Sequence, residues 1–272
     1  MENIILDLSR SKLAKIKNLP NILYELNLYD NRITEIENLP DSLQIICLGF
    51  NRITEISQGC FPSKLRELDL HNNKIMYIPR GCFPSGLQEL VLNENRITAI
   101  SCGCFPSGLQ ILYLNFNQIT EITQECFPSG LQELHLYDNQ ITEISQGCFP
   151  SGLLELDLGK NEITEIPQGC FPSKLQTLDL NNNIITELPL FLLELRYLDG
   201  FRYNNNPIEN IHPLVNRWLD RLNRRLSDNN KVYSNSQNIH NSNVQRSFRN
   251  SLGNLLKDVN VKSLNKCKKY VI

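Results

Sequence analysis

One pattern recurs along most of this 272-residue chain and limits what the chain can fold into. With x for any residue, the pattern is L-x-x-L-x-L-x-x-N-x-I-x-x-I, and its asparagine marks the register of each copy. Successive asparagines are 20 residues apart at first, then 22 apart six times, and finally 23 apart. They are Asn31, Asn51, Asn73, Asn95, Asn117, Asn139, Asn161, Asn183 and Asn206, and Ser11 takes the equivalent place in a degenerate first copy. One such unit cannot bury its apolar face alone, so the copies, about ten in all, are predicted to stack into a solenoid.

The copy from Phe127 to Cys148 shows what each part of the pattern predicts. Leu134 and Leu136 alternate with polar neighbours, a period of two that indicates a short strand with one buried face and one wet face. Strands from stacked copies then form a parallel sheet. The side-chain amide of Asn139 is predicted to satisfy buried backbone groups of its own turn and of the next coil.

Two further columns are predicted on the far side of the coils. A phenylalanine recurs at a fixed place and fills the thicker, convex half of each coil. These residues are Phe61, Phe83, Phe105, Phe127, Phe149 and Phe171, and the cysteines directly before them are Cys60, Cys82, Cys104, Cys126, Cys148 and Cys170. Inert packing of free thiols is the favoured interpretation of the cysteine column. Redox coupling or metal capture is the alternative, because stacked α-carbons can fall within the disulfide range of about 4.4 to 6.8 Å.

The last copy departs from the pattern, which predicts how the stack ends. Phe201 and Tyr203 replace leucines, and apolar residues then recur at helical spacing. These are Leu214, Trp218, Leu222 and Leu226. We therefore predict a solenoid over residues 1–211 and a capping helix over 212–226, with Trp218 on the last coil. An asparagine- and serine-rich flexible linker follows over 227–243, and residues 244–272 form a basic segment in which helical spacing recurs.

Charge is divided unequally along the chain. Residues 212–272 hold 12 Lys or Arg and 3 acidic residues, a net of +9, whereas the other 211 residues hold 15 basic and 26 acidic residues, a net of −11. No basic leader precedes an apolar run, and no stretch approaches the roughly 20 apolar residues that span a bilayer. The odd number of cysteines, 9 in all, indicates free thiols in a reducing compartment. The sequence therefore predicts a soluble, intracellular protein without a transmembrane segment.

These repeated residues resemble the leucine-rich repeat family from Asn3 to Ile211. The resemblance implies an α/β solenoid with a parallel concave β-sheet, a mostly irregular convex side and a helical C-terminal cap. The FPSGLQEL and ITEI phrases and the asparagine-rich composition are similar to repeat proteins encoded by large DNA viruses of amoebae, which implies a place in the host cytoplasm. Leu19-Pro20 and Leu39-Pro40, in place of Phe-Pro, also resemble the short repeats of bacterial effectors.

The concave face of the sheet is the predicted functional surface. The residue between the strand leucines varies from copy to copy: Asp7, Asn27, Cys47, Asp69, Val91, Tyr113, His135, Asp157, Asp179 and Arg202. Beside it lie Glu25, Glu67, Glu89, Glu133 and Glu155, with Tyr29, Phe50, Phe116 and Tyr137 near the strand ends. Strands about 4.8 Å apart would join these columns into a continuous acidic surface with aromatic anchors.

We therefore predict a protein-interaction scaffold whose partner, itself a protein with a basic segment, binds on the concave face. The predicted contact residues are Glu25, Glu67, Asp69, Glu89, Tyr113, Glu133, His135, Tyr137, Glu155, Asp157 and Asp179. A solvated face with no specific ligand is the alternative for these residues. A different function is also open, that of a structural or adaptor module whose effector contact is the basic C-terminal segment.

Catalysis, metal binding and nucleic-acid reading are less favoured. His135 beside Asp157 and Asp179 can serve acid–base chemistry or hold a divalent ion, but no activated nucleophile accompanies them and an open sheet excludes water poorly. No reader motif for sequence-specific nucleic-acid binding occurs in the chain. The sequence therefore predicts a monomeric protein that is not an enzyme and has no cofactor.

Overall fold

The structure, a computed structural model, describes residues 4–228 and shows a solenoid with one strand for each copy of the pattern. Ten strands form a parallel sheet in which each strand pairs with the one from the next copy of the pattern along the chain. They are β1 (Ile4–Asp7), β2 (Leu23–Asn27), β3 (Ile45–Cys47), β4 (Glu67–Asp69), β5 (Glu89–Val91), β6 (Ile111–Tyr113), β8 (Glu133–His135), β10 (Glu155–Asp157), β11 (Thr177–Asp179) and β12 (Gly200–Arg202). The predicted solenoid with a parallel sheet is confirmed.

The remaining elements lie outside this sheet. Two short strands, β7 (Glu121–Ile122) and β9 (Glu143–Ile144), pair in parallel with each other on the flank of the solenoid. A 3-10 helix over Leu190–Glu194 and an α-helix, α1 (Pro213–Asp228), come near the end of the described part. The convex side of the coils consists mainly of turns and bends, in agreement with the predicted irregular convex side.

Strand register follows directly from the repeat. Leu134 pairs with Leu112 on one side and Leu156 on the other, so the inward-facing leucines form one buried column. The outward-facing residues from Asp7 to Arg202 stand side by side in the predicted order. Each copy, whether it has 20, 22 or 23 residues, completes one coil, so equivalent sequence positions become spatial neighbours.

The ladder asparagines join each coil to the coil before it. The Nδ2 atom of Asn139 donates to the carbonyl oxygens of Leu136 and Leu114, both at 3.0 Å, and its Oδ1 accepts the N–H of Ile119 at 3.1 Å. Leu136 belongs to the same turn, so that part of the prediction is confirmed. The predicted bonds to the next coil are wrong, because the side chain points back to the preceding coil. In the same way, the Nδ2 atom of Asn161 in the next coil donates to the carbonyl oxygen of Leu136 at 3.0 Å.

The phenylalanine column is buried and stacked. Ring centroids are 5.8 Å apart between Phe61 and Phe83, and 6.2 Å apart along the run from Phe105 to Phe171. Each ring therefore packs on the ring of a neighbouring coil and fills the convex half of the core, as the sequence predicts.

The cysteine column packs against the same core. The eight cysteines within residues 4–228 are free thiols. Burial raises the pKa of Cys60 to about 11 and the pKa values of Cys82, Cys104 and Cys148 to about 12. Because a protonated thiol is a poor nucleophile and a poor metal ligand, these values favour the inert packing interpretation.

Helix α1 closes the carboxyl end of the stack. Trp218 is buried, and its ring lies 5.6 Å from that of Phe201 on the last strand. Val215 is also buried, whereas Leu214, predicted on the packing side, is 50% exposed. The packing stripe therefore starts at Val215 and continues through Trp218, Leu219 and Leu222. The helix extends to Asp228, two residues beyond the predicted 212–226, and the rest of the predicted linker and the segment 244–272 lie outside the described residues.

Candidate protein-interaction surface

The strand register brings the predicted acidic residues onto one face, but in two groups. The flanking column runs through Glu67, Glu89, Ile111, Glu133 and Glu155, so Ile111 separates two pairs of glutamates. Ile45 lies between Glu25 and Glu67 in the same column, but these two carboxyls still interact, because the charge of Glu67 raises the pKa of Glu25. The prediction of a continuous acidic surface is therefore wrong. An apolar cluster interrupts it, formed by Ile45 and Val91 with Tyr24, Cys47 and Tyr113 packed against them.

We call the two groups the amino-terminal and carboxyl-terminal acidic clusters. The amino-terminal cluster consists of Glu25, Glu67, Asp69 and Glu89. The carboxyl-terminal cluster consists of Glu133, Glu155, Asp157 and Asp179.

Glu25 is the most unusual residue of the amino-terminal cluster. It lies on β2 between Ile5 and Ile45, and only 3% of its surface is exposed. Its Oε2 atom has no hydrogen-bond partner within the described part of the chain. Burial, reinforced by the charges of Glu67 and Asp7, raises the pKa of Glu25 to about 7. A buried carboxyl without a partner is costly in its charged form, so it favours a proton or an incoming cation.

A buried pair, Asp69 and His71, lies in the same cluster, and the repeat pattern did not predict it. The Oδ1 atom of Asp69 accepts the backbone N–H of His71 at 2.9 Å and lies 2.7 Å from the Nδ1 atom of its ring. Burial lowers the pKa of His71, but the hydrogen bond and charge of Asp69 outweigh burial and raise it overall. The missed signal was Gly49 one copy earlier. A Cβ atom there would lie 2.3 Å from the His71 ring, so glycine leaves room for that ring.

Aromatic rings lie at the strand ends, beside the predicted binding residues. The ring centroids of Tyr29 and Phe50 are 5.2 Å apart, and those of Phe116 and Tyr137 are 5.6 Å apart. Phe50 and Phe116 have φ angles of 54° and 56°, the left-handed region that bulky residues rarely occupy. Both rings therefore sit at turns where a polar residue or glycine would be less strained, which favours a role beyond folding.

The carboxyl-terminal cluster lies beside a pair of stacked rings. Tyr113 and His135 stack with centroids 4.6 Å apart, and the Nε2 atom of His135 lies 4.0 Å from the Oε1 atom of Glu155. Burial and the nearby charge of Asp179 raise the pKa of Asp157 to about 7. The cluster is partly neutralised at its edge, because the Nη1 atom of Arg202 lies 3.2 Å from the Oδ2 atom of Asp179.

Three of the predicted contact residues also have a structural task. The Oδ1 atoms of Asp69, Asp157 and Asp179 each accept the backbone N–H two residues further on, all at 2.9 Å. These short bonds end the strands, and all three side chains are buried. The half-buried glutamates are therefore the acidic groups most open to a partner, and they are Glu67, Glu89, Glu133 and Glu155.

Two further features of the described residues bear on other functions. Among residues 4–228, no group of three or more His, Cys, Asp or Glu side chains is arranged to hold a metal ion. No helix in that range is long and apolar enough to cross a membrane. Burial also raises the pKa values of Glu133 and Glu155, so the surroundings of His135 disfavour charged carboxylates.

Known proteins share this architecture. A family model described as leucine rich repeat matches residues 41–85, 63–107, 85–129, 107–151 and 129–185. YopM from Yersinia enterocolitica is 26% identical over 76% of this chain and 43% of its own, with a TM-score of 0.63. A chain from an octameric complex of Latrophilin 3, Unc5D and FLRT2 is 24% identical over 77% of this chain and 76% of its own, with a TM-score of 0.67.

A third solved structure is the Toll–Spatzle complex of Drosophila. Its matching chain is 25% identical over 70% of this chain and 33% of its own, with a TM-score of 0.60. This chain thus spans less than half of the YopM and Drosophila chains that it matches. No curated protein matches the sequence. The comparisons identify leucine-rich repeats and give no support to the narrower viral resemblance.

Proposed function

This chain belongs to the leucine-rich repeat family, and from that premise we propose that it is a non-enzymatic scaffold that binds a basic segment of a partner protein on its concave face. One observation carries the proposal. The register aligns two acidic clusters on the open face of one sheet, and two aromatic pairs lie at the ends of its strands. The Toll structure is that of a complex with Spatzle, and we extend partner binding to this chain by analogy.

The chemistry of the face favours arginine in the partner. Burial raises the pKa values of Glu67, Glu133 and Glu155, so their charged forms are poorly solvated and gain from a cation. A guanidinium group can bond a carboxylate through two parallel hydrogen bonds. Its flat face also stacks on aromatic rings such as the Phe116–Tyr137 pair.

Charge reversal at two matched sets of glutamates tests this proposal. One variant carries Glu89→Lys, Glu133→Lys and Glu155→Lys on the concave face. The control carries Glu121→Lys, Glu143→Lys and Glu165→Lys on the exposed flank, with the same change in net charge. Binding of a labelled arginine-rich peptide is measured by fluorescence anisotropy, and capture of partners from the native cell is compared in parallel.

The concave variant is expected to lose roughly a hundredfold in affinity while the control loses little, because charges on the contact face act at short range. Equal losses in the two variants would reduce the effect to net charge, and unchanged binding in the concave variant would remove the proposal.

The alternative function assigns the effector contact to the basic residues 244–272, and the division of charge along the chain favours it. Deletion of residues 229–272 separates the two functions. Capture that survives this deletion but not the concave variant supports the concave face, whereas the reverse result supports the basic segment. A monomeric state, an intracellular location and a viral origin stay predictions.

A further inference from the structure

The flank of the solenoid carries a local departure that the core does not require. After the ladder asparagine, six copies read Ile-Thr-Glu followed by Ile or Leu, as at residues 33–36 and 119–122. The fourth copy reads Ile75-Met76-Tyr77-Ile78, and the fifth has Ala99 in place of the glutamate. Ile75 and Ile78 are buried as in the other copies. The change is therefore confined to the outward-facing side chains.

These replaced side chains are open to solvent. Met76 is 59% exposed and Tyr77 is 55% exposed. Single exposed apolar residues are ordinary, but Met76 and Tyr77 are adjacent and replace the threonine and glutamate of six other copies, so they form a local apolar site.

Cations flank the same site. The residue after the ladder position is basic in five consecutive copies, as Lys12, Arg32, Arg52, Lys74 and Arg96. In the second and third copies a glutamate follows three residues later, as Glu35 and Glu55, whereas in the fourth and fifth copies that glutamate is missing. Lys74 and Arg96 therefore lack the glutamate that follows the equivalent cations of the second and third copies three residues later. Neither forms an ion pair within residues 4–228.

The backbone fixes the two cations in adjacent coils. The N–H of Lys74 bonds the carbonyl of Ile53 at 2.8 Å, and the N–H of Arg96 bonds the carbonyl of Ile75 at 2.9 Å. Equivalent positions in adjacent coils are about 5 Å apart. Arg80 adds a third exposed cation on the convex side of the same copy, held by a 2.8 Å bond from its Nε atom to the carbonyl oxygen of Cys102.

We propose that Lys74, Met76, Tyr77 and Arg96 form a flank patch that docks a short acidic segment of a partner protein through carboxylates and one apolar side chain. The long side chains of the two cations, whose backbones are about 5 Å apart, can splay to reach acidic residues on one side of an extended peptide, where alternate side chains are about 7 Å apart. Met76 adapts to the shape of an apolar side chain, and Tyr77 combines an apolar ring with a polar tip. The acidic concave face repels the same segment, so the two surfaces select partners of opposite charge.

The surroundings of the flank patch favour a short segment over a long polyanion. Glu55 lies on the flank one copy before the patch, and Glu121 lies on the flank one copy after it. A nucleic-acid strand that continued along the flank would meet these carboxylates at both ends. A short acidic peptide fits between them.

Restoring the common flank sequence tests the proposal without disturbing the core. The variant Met76→Thr, Tyr77→Glu, Ala99→Glu gives the fourth and fifth copies the residues that six other copies carry, so folding is preserved. The probe is a short labelled peptide of alternating glutamate and leucine, and binding is followed by fluorescence anisotropy at low and moderate salt. We expect the variant to bind this peptide at least about tenfold more weakly than the wild type.

Four comparisons decide the outcome. The concave charge-reversal variant is expected to bind the acidic peptide at least as well as the wild type, so this test and that of the concave face fail independently. Equal binding by the restored variant overturns the flank patch. Tighter binding of a short RNA than of the peptide assigns the patch to nucleic acid instead, and self-association that disappears in the variant assigns it to a second copy of this chain.

Discussion

Two columns of this solenoid, the ladder asparagines and the outward residues of the strands, occupy one position per copy yet behave in opposite ways. From Asn31 to Asn206 the ladder position never changes, and each amide donates to a carbonyl of the preceding coil and accepts an N–H from it. The outward column passes through Asp69, Val91, Tyr113 and His135 within four neighbouring strands.

The difference shows which forces act on each column. The ladder amide meets the same backbone groups in every coil, so only one side chain satisfies them. Outward residues contact mainly one another across the sheet surface, through pairs that differ from strand to strand, such as Tyr113 with His135 and Arg202 with Asp179. Interior columns should therefore govern stability, and outward columns should govern recognition.

The largest expected effect comes from the convex core. Phe127→Ala should lower the free energy of unfolding by about 3 to 5 kcal/mol, because it opens a cavity between Phe105 and Phe149. Urea denaturation measures this change. Tyr197→Ala, at an exposed ring, serves as the control and should change little. A near-neutral Phe127 variant would contradict the role of the phenylalanine column.

The ladder itself should give the next largest effect. Asn117→Ala removes bonds to the carbonyls of Leu92 and Leu114 and to the N–H of Ile97, so it should destabilise the fold by about 1 to 3 kcal/mol. The exposed neighbour Gln118→Ala is the matched control. Binding of the arginine-rich peptide to the folded variant should be unchanged. A loss of this binding without a loss of stability would contradict the distinction between the two columns.

Glu25 tests whether an outward residue can also affect stability. Since the pKa of Glu25 is about 7 in the folded protein against its ordinary 4.5, the folded state retains a proton that the unfolded state releases between these values. This contribution to stability is present below about pH 4.5 and is lost as the pH rises through 7.

Glu25→Gln should remove that loss and should stabilise the protein at pH 8 by on the order of 1 to 2 kcal/mol relative to wild type. Thermal denaturation at pH 5 and pH 8 measures the difference, with Glu35→Gln on the exposed flank as the control. A parallel pH dependence in Glu25→Gln and wild type would show that a cation or water already satisfies Glu25.

The smallest effect is expected at the carboxyl-terminal cluster. Arg202→Gln removes the contact with Asp179, a partly exposed pair, and should cost less than about 1 kcal/mol. It should also raise the pKa of Asp157, since the charge of Arg202 now lowers it. Titration followed by NMR measures that shift, and an unchanged pKa would place Arg202 outside the electrostatics of the cluster.

The repeated pattern determined most of the architecture. Because each copy completes one coil and places equivalent residues side by side, the sequence was sufficient to predict the sheet, the order of the outward column and the phenylalanine column. The departure of the last copy from the pattern was sufficient to predict Trp218 on the last coil. The interruptions at Ile45 and Ile111 were also visible in the sequence. The prediction of a continuous surface rested on the glutamates of that column and not on the isoleucines between them.

Only the tertiary structure decided the rest, because burial and charge depend on side chains brought together from different coils. Glu25 is buried between Ile5 and Ile45, and the ring of His71 lies over Gly49. Both arrangements result from packing between coils. The ladder asparagines bond the preceding coil and not the next one, and Val215, not Leu214, packs against the last coil. Both outcomes depend on distances and helix orientation, which a linear pattern does not contain. The repeat thus specified which residues are neighbours. The packing between coils specified how deeply each of them is buried and which charge it carries.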